Sequence, residues 1–81
     1  EEEVNIFGKA RKNGKIIYII GESKTHLSIK DIDKFKKRLS RIEKVIKEEK
    51  FPIFVVHSAS PRIVKYAEEN GFSVFFSYEF Y

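Results

Sequence analysis

A glutamate and a lysine, Glu22 and Lys24, stand two residues apart just after the most apolar run of the chain, residues 16–20. Residues two apart in an extended strand point to the same side, so this carboxylate and this ammonium share one face. On their own they form a surface ion pair worth under about 1 kcal/mol. The pair becomes a candidate site only if neighbouring elements bring further polar groups to that face.

The strand before this pair is predicted from alternation and from a turn. Residues 3–10 alternate apolar and polar side chains, and Asn13-Gly14 follows after a short basic segment. An Asn-Gly pair is the strongest short signal for a β-hairpin, because a type I′ turn needs positive φ at both central residues. We therefore expect residues 3–10 to pair antiparallel with the apolar strand.

The register of this hairpin decides which polar groups meet. With the turn centred on Asn-Gly, Asn5 lies opposite Glu22 and Glu3 lies opposite Lys24. A β-bulge would shift this pairing, and two glycines are candidates for one, Gly8 and Gly21. Oxygen ligands from adjacent strands within a few ångströms are what a hard divalent cation needs. The hairpin is therefore a candidate cation site.

A long helix is predicted after the hairpin. Ser28, with Asp31 three residues later, is an approximate capping box, and it opens a helix predicted over residues 29–49. Apolar residues at spacings of three and four form one stripe on this helix, namely Ile32, Phe35, Leu39, Ile42 and Ile46. Phe51-Pro52 is expected to end it.

Two further strands and a short helix complete the chain. A third strand is predicted over residues 53–59 and a fourth over residues 72–80. Between them, Ser60 is the expected N-cap of a helix, Pro61 its first residue, and Gly71 the glycine that follows its end.

This order of elements, β-β-α-β-α-β, predicts one α/β domain over residues 1–81. Its sheet should be mixed and four-stranded, with flanking helices, one on each side or both on one. The last two strands should be joined by a right-handed parallel crossover. The near-continuous apolar run at residues 16–20 favours a central strand covered on both faces.

Composition excludes several classes of protein. The chain has no cysteine, which rules out disulfides and thiolate metal sites. No apolar run approaches the roughly 20 residues of a membrane span, so we expect a soluble, cytoplasmic protein without a membrane partner. Abundant Lys, Glu and Ile, with no Met or Trp, are typical of heat-adapted proteins. Because the sequence begins within a few residues of a strand, we expect a C-terminal piece of a longer chain.

The stretch EVNIFGKARKNGKIIYIIGESKTHLS, residues 3–28, resembles the catalytic core of the PD-(D/E)XK nuclease superfamily. That superfamily contains restriction enzymes and archaeal Holliday-junction resolvases. The likeness rests on the strand order, the hairpin and the E-x-K at Glu22 and Lys24. The chain looks especially like uncharacterised archaeal proteins with this domain at their C-terminus. The resemblance implies a restriction-endonuclease-like core over essentially the whole chain.

The resemblance also implies metal-dependent hydrolysis of DNA. In the family, an acidic residue of the hairpin and the E-x-K bind Mg²⁺, or Mn²⁺, and activate water. Carried onto this chain, the catalytic residues are Glu22, Lys24 and Asn5, and the metal ligands are Glu22, Asn5 and Glu3. The family has Asp where this chain has Asn5, and losing one negative charge weakens a Mg²⁺ site. We expect an impaired DNA endonuclease or, alternatively, a non-catalytic nucleic-acid-binding or protein-interaction module.

Basic residues suggest where DNA would bind. The net charge is +4, and residues 8–15 contribute four cations without one acid, Lys9, Arg11, Lys12 and Lys15. The predicted outer helix face adds six more, Lys30, Lys34, Lys37, Arg38, Arg41 and Lys44. A basic hairpin tip beside a carboxylate pocket would suit DNA, because phosphate contacts supply most non-specific affinity, and His26 could contact a phosphate. The alternative is a solvated lysine-rich surface.

Two other groups of residues carry weaker hypotheses. His57 and Ser58 end the third strand, but nucleophilic catalysis would also need an acid and an oxyanion hole. We expect His57 to be a hydrogen-bonded residue at the strand end. The C-terminal aromatic residues are expected mostly in the core. Some could instead cover a homodimer seam or a missing N-terminal segment, namely Phe75, Tyr78, Phe80 and Tyr81.

Overall fold

The computed structural model describes residues 5–80 and has the predicted order of elements. The strands are β1 (Ile6–Lys12), β2 (Lys15–His26), β3 (Glu49–Ser58) and β4 (Ser73–Phe76). The helices are α1 (Ile29–Ile42) and α2 (Pro61–Glu69), and a short 3-10 helix follows at Ser77–Phe80. Neither α-helix combines the length and the apolar character required to cross a bilayer.

The four strands form one mixed sheet in the order β1-β2-β3-β4. β1 runs antiparallel to β2, whereas β3 is parallel to both β2 and β4. The predicted α/β class with a mixed four-stranded sheet is therefore confirmed at this level. The helices join parallel neighbours, because parallel strands need a crossover connection.

The hairpin has the predicted turn and the predicted register. Asn13 and Gly14 have φ values of 52° and 79°, the positive pair that a type I′ turn needs. Pairing runs from Lys12 opposite Lys15 to Ile6 opposite Gly21 without a break. Neither candidate glycine forms a bulge in this ladder. The register on which the site prediction depends is confirmed as far as Ile6.

The helix caps are confirmed, but three element boundaries differ from prediction. Ser28 and Asp31 form the capping box of α1, and Ser60 caps α2 with Pro61 in its first turn. α1, however, ends at Ile42 instead of residue 49, and the chain already enters β3 at Glu49. After Ile42 the chain continues as a turn, in which the N–H groups of Val45 and Ile46 donate to the Ile42 carbonyl, and beyond Ile46 no apolar residue continues the stripe before β3.

The two other differences concern Phe51-Pro52 and the C-terminus. Phe51-Pro52 lies inside β3, and pairing between β3 and β4 begins only one residue later, at Ile53. A proline is tolerated there because its missing N–H leaves no partner unbonded on the β4 side. The last strand is also shorter than predicted, since residues 77–80 coil into the 3-10 helix.

Both helices pack on one face of the sheet. Two right-handed crossovers that step in the same direction place their helices on the same side. The core under the helices is apolar and fully or nearly fully buried, and it comprises Ile20, Leu27, Ile32, Phe35, Phe54, Val56, Ala67 and Phe72. Phe35 stacks on Phe72 and meets Phe54 edge to face.

A side-chain hydrogen bond joins the two helices, since the Tyr66 hydroxyl of α2 donates to Asp33 of α1 at 2.7 Å. This hydrogen bond raises the pKa of Tyr66 above its usual value.

The opposite face of the sheet has no cover among residues 5–80. Strand alternation and register place on it the apolar residues Ile6, Ala10, Ile17, Ile19, Phe51, Ile53, Val55 and Phe75. Most of them are partly exposed, and the Phe51 side chain is 42% exposed. The prediction that the apolar strand is covered on both faces is therefore wrong for the described part of the chain.

Candidate functional site

Glu22 is a carboxylate buried at the sheet–helix interface, only 6% exposed. It lies near the carboxyl end of β2 on the face covered by α1. Its Oε2 accepts a hydrogen bond from Nη1 of Arg38 at 2.6 Å, and its Oε1 lies 3.5 Å from Nζ of Lys24. A buried carboxylate is tolerated only when it is paired and hydrogen-bonded. The two cations meet that requirement.

Lys24 also connects β2 to the first turn of α1. Its Nζ lies 3.5 Å from Oδ1 of Asp31. The other oxygen of Asp31, Oδ2, accepts from the backbone N–H and hydroxyl of Ser28 in the capping box. Asp31, which completes the capping box of α1, therefore also positions Lys24. A cavity of about 30 Å³ lies among the charged residues Glu22, Lys24, Asp31, Lys34 and Arg38.

Asn5 stands one residue before β1, and its side chain faces the backbone of β2. Its Oδ1 accepts a hydrogen bond from the backbone N–H of Ser23 at 3.0 Å. This side-chain hydrogen bond joins the two hairpin strands one residue beyond their last paired residue, Ile6. Asn5 contributes no charge, and its oxygen is already engaged. Glu3, the other predicted metal ligand on this strand, lies outside the described residues.

The oxygen donors of the described site do not fit a magnesium ion as they stand. Mg²⁺ needs anionic oxygens in near-octahedral geometry. Both oxygens of Glu22 face cations, Asp31 is shared between Lys24 and the helix cap, and Asn5 is neutral. Within residues 5–80, no three His, Cys, Asp or Glu side chains group closely enough to hold a metal.

The strand-end histidines are arranged differently from prediction. Nδ1 of His26 hydrogen-bonds to the Ser58 hydroxyl across paired positions of β2 and β3. His57, which was expected to hold such a bond, is exposed and makes no side-chain hydrogen bond to residues 5–80. Because alternate strand residues face opposite sides, His57 lies on the open face, away from His26. Sequence alternation alone would have revealed this difference.

The basic hairpin is not beside the carboxylate cavity. Lys9 pairs with Tyr18, which lies six residues before Lys24 along β2. At about 3.3 Å per residue, the two lysines are roughly 20 Å apart. The prediction that the hairpin tip lies next to the pocket is therefore wrong. The cations also divide between faces, because alternation puts Lys9 and Arg11 on the helix side and Lys12 and Lys15 on the open face.

On the helix side of the sheet, an exposed strip along β1 runs between the hairpin tip and the end of the sheet that holds the carboxylate cavity. We call Phe7, Lys9 and Arg11 the β1 ledge, because all three are exposed on the edge strand. The Phe7 ring is 57% exposed and stacks on Tyr18 at 5.6 Å between ring centres. The ledge thus combines two cations with one exposed aromatic ring.

Sequence reasoning missed Arg38 and Asp31 as parts of the site. The sequence places Arg38 only on the basic outer face of the helix and Asp31 only in a helix cap. A signal was present, since Asp31, Lys34 and Arg38 follow one another at spacings of three and four. Residues so spaced share one side of a helix, and that side adjoins the apolar stripe. A charged stripe beside the buried apolar stripe of a helix indicates that the sheet beneath the helix carries polar side chains at that edge.

Comparisons with protein-family models, curated proteins and solved structures give no match for this chain. The fold defines the class of protein no further than a small α/β domain with a mixed four-stranded sheet and two helices on one face.

Arg38→Ala should destabilise the fold by about 1–3 kcal/mol, because it leaves the buried Glu22 with one partner. The loss stays in this range because the Arg38 side chain is 30% exposed, and water can replace part of the interaction. Urea denaturation measures the change. Arg38→Lys should recover part of it. Arg62→Ala, at an exposed position of α2, is the matched control, and an equal loss in both alanine variants would contradict this account.

Proposed function

We propose that this domain binds DNA along the β1 ledge and holds a nuclease-type site that is hydrolytically silent in this chain. The observation that carries the proposal is the convergence of Arg38 and Lys24 on the buried carboxylate of Glu22. In the nuclease-type arrangement that carboxylate would be shared with a dication. Here its charge is already balanced. We propose DNA as the partner of this domain and the cytoplasm as its location.

The charge of the cavity favours an anion over a cation. Its lining has two carboxylates, from Glu22 and Asp31, and three cations, from Lys24, Lys34 and Arg38, which gives a net charge of +1. A dication entering the cavity would meet three like charges, whereas a phosphate oxygen would meet an excess of donors. Lys24, with a side chain 34% exposed, is accessible to such a phosphate.

The β1 ledge supplies the remaining contacts in this proposal. Lys9 and Arg11 lie on the same side of the sheet as Lys24, so one nucleic-acid backbone could touch all three. Phosphate contacts by lysine and arginine provide sequence-independent affinity. The exposed ring of Phe7 lies between the two ends and could stack on a base where the strands separate.

A second candidate function is a binding module without any metal chemistry. The short bond between Arg38 and Glu22 favours this second function, because a carboxylate held in this way stabilises the fold and is not available to bind a metal. The two candidates share the DNA surface. They differ in whether restoring one acid at Asn5 can restore metal binding.

The DNA surface makes a quantitative prediction about salt. Lys9→Ala with Arg11→Ala should weaken binding to a short duplex and flatten the plot of log affinity against log salt by roughly two units, about 0.9 per lost phosphate contact. Fluorescence anisotropy over a series of salt concentrations measures this slope. Both residues are exposed, so the fold should be unaffected.

The matched control removes two cations from another surface. Arg62→Ala with Lys65→Ala makes the same change of charge on exposed positions of α2. This variant should retain nearly all of the salt slope. Equal flattening in the two double variants would assign the binding to net charge alone, and unchanged binding in the ledge variant would contradict the proposed surface.

A further inference from the structure

The open face of the sheet is an apolar surface that the proposed function does not use. Parallel strands are ordinarily covered on both faces, and a large exposed apolar patch marks an interaction site. On this face a cavity of about 310 Å³ is lined by Ala10, Lys12, Ile17, Ile19, Glu49 and Phe51.

We infer that the open face binds a second copy of this chain, related by a two-fold axis that runs along β2 between two facing sheets. Two sheets pack face to face about 10 Å apart with their strands nearly aligned. A two-fold axis along β2 places β1 of each copy over β3 of the other. Ile17 and Ile19 would then meet their own counterparts at the axis.

Charge complementarity between β1 and β3 favours this partner and this axis, and it must outweigh the approach of the exposed Lys15 to its own counterpart at one end of the axis. Lys12 lies on the β1 side of the apolar centre, and Glu49 lies on the β3 side, about 10 Å away across two strand spacings and about 7 Å further along the strands. No ion pair joins them within the described chain. The two-fold operation brings Lys12 of one copy within reach of Glu49 of the other, and it does so twice. A self-complementary patch of this kind is what a symmetric dimer requires.

The sizes of the side chains on β1 and β3 also fit this two-fold axis. Gly8, Ile19 and Phe51 form one row across the sheet. The axis along β2 therefore sets the exposed ring of Phe51 over Gly8 of the second copy. Gly8 leaves a hollow, since a Cβ built there would meet only the Ile19 side chain, at 3.8 Å or more. A large side chain thus faces the smallest residue of the opposite strand.

The proposed dimer leaves the DNA surface of each copy exposed. The inference of a dimer does not depend on DNA binding. The axis preserves the direction of the strands, so both β1 ledges lie on the outer sides of the dimer and both hairpin tips lie at one end. Each copy keeps its own Glu22–Lys24 site accessible on the helix side. The residues that form the interface and those proposed to contact DNA are different.

Charge reversal tests the inference directly. We expect a concentration-dependent dimer of the 81-residue protein in analytical ultracentrifugation. Lys12→Glu alone and Glu49→Lys alone should each raise its dissociation constant roughly 10- to 100-fold, because each reversal creates two like-charge pairs. The double variant with both changes in one chain should restore dimerisation. Lys65→Glu, the same charge change on α2, should leave the dissociation constant unchanged.

Each other outcome overturns the inference. A protein that stays monomeric at the highest attainable concentration has no such interface, and a segment from outside these residues would then be the better candidate to cover the face. A dimer that neither single reversal weakens uses a different surface. Two weakened single variants without rescue in the double variant would place Lys12 and Glu49 in separate contacts and contradict the proposed axis. Circular dichroism of each variant checks that the exposed substitutions leave the fold intact.

Discussion

Asn5→Asp should convert a silent domain into one that binds Mg²⁺ or Mn²⁺ and nicks DNA. The substitution keeps the oxygen that accepts from the Ser23 N–H, so the local structure should persist. It adds a second carboxylate to a hairpin position that the register places next to Glu22. With Asp at position 5, a dication that displaces Lys24 from Oε1 of Glu22 has two acids beside it, and a bound dication can activate water for attack on a phosphodiester.

The same substitution should make the stability of the fold depend on metal. Without metal, the added charge repels the carboxylate of Glu22, and the melting temperature should fall slightly. With metal at about 100 times its dissociation constant, the fold should gain about 2.7 kcal/mol. The wild-type protein should show no such gain. This readout is independent of catalysis, so it separates loss of metal binding from loss of hydrolysis.

Two controls make this experiment specific. Nicking by Asn5→Asp should disappear again when Glu22→Gln or Lys24→Ala is added, because both groups lie in the site. If Asn5→Asp neither gains stability with metal nor nicks DNA, the domain is better described as the binding module. Metal-dependent nicking by the wild-type protein would contradict the claim that Asn5 silences the site.

Gly21→Ala should destabilise the protein by about 1–3 kcal/mol or more, the cost of forcing extra volume between two closely packed strands. A Cβ at Gly21 would lie 2.5 Å from Cγ1 of Ile53 and 2.7 Å from its backbone oxygen. A backbone oxygen in a paired strand cannot move aside without opening the ladder between β2 and β3. Because Glu22 is the next residue, the same distortion should loosen its bond to Arg38.

Gly8→Ala is the matched control for this prediction. Gly8 is also a strand glycine, but its added Cβ would be in ordinary contact with Ile19, at 3.8 Å. The control should change stability little, or raise it by up to about 1 kcal/mol through reduced freedom of the unfolded chain. Urea denaturation of dilute protein compares the two. Equal losses in both variants would show that the close approach at Gly21 is not the cause.

Local signals in the sequence predicted the elements well. Asn13-Gly14 predicted the turn and its register, and Ser28 and Ser60 predicted both helix starts, because these signals depend on a few adjacent residues. The end of α1 was predicted too late, since Ile46 continues the helical spacing although the chain has already left the helix. Periodicity alone does not state where burial stops.

The long-range features of the site could not be predicted in the same way. The bond between Arg38 and Glu22 joins residues 16 apart, and it depends on where α1 crosses β2. The distance between the basic hairpin and Lys24 required knowing that the turn and the site lie at opposite ends of β2. The open face was missed because an apolar run looks the same whether one face or two are covered within the chain.

The most direct test of the central claim is an NMR titration of the protein with a short DNA duplex at low salt. We expect the largest changes in amide chemical shift at Phe7, Lys9, Arg11 and Lys24. Little change is expected at Arg62 and Lys65 of α2. Changes centred on α2, or no change at low salt, would contradict the claim that the helix-side face of this domain binds DNA.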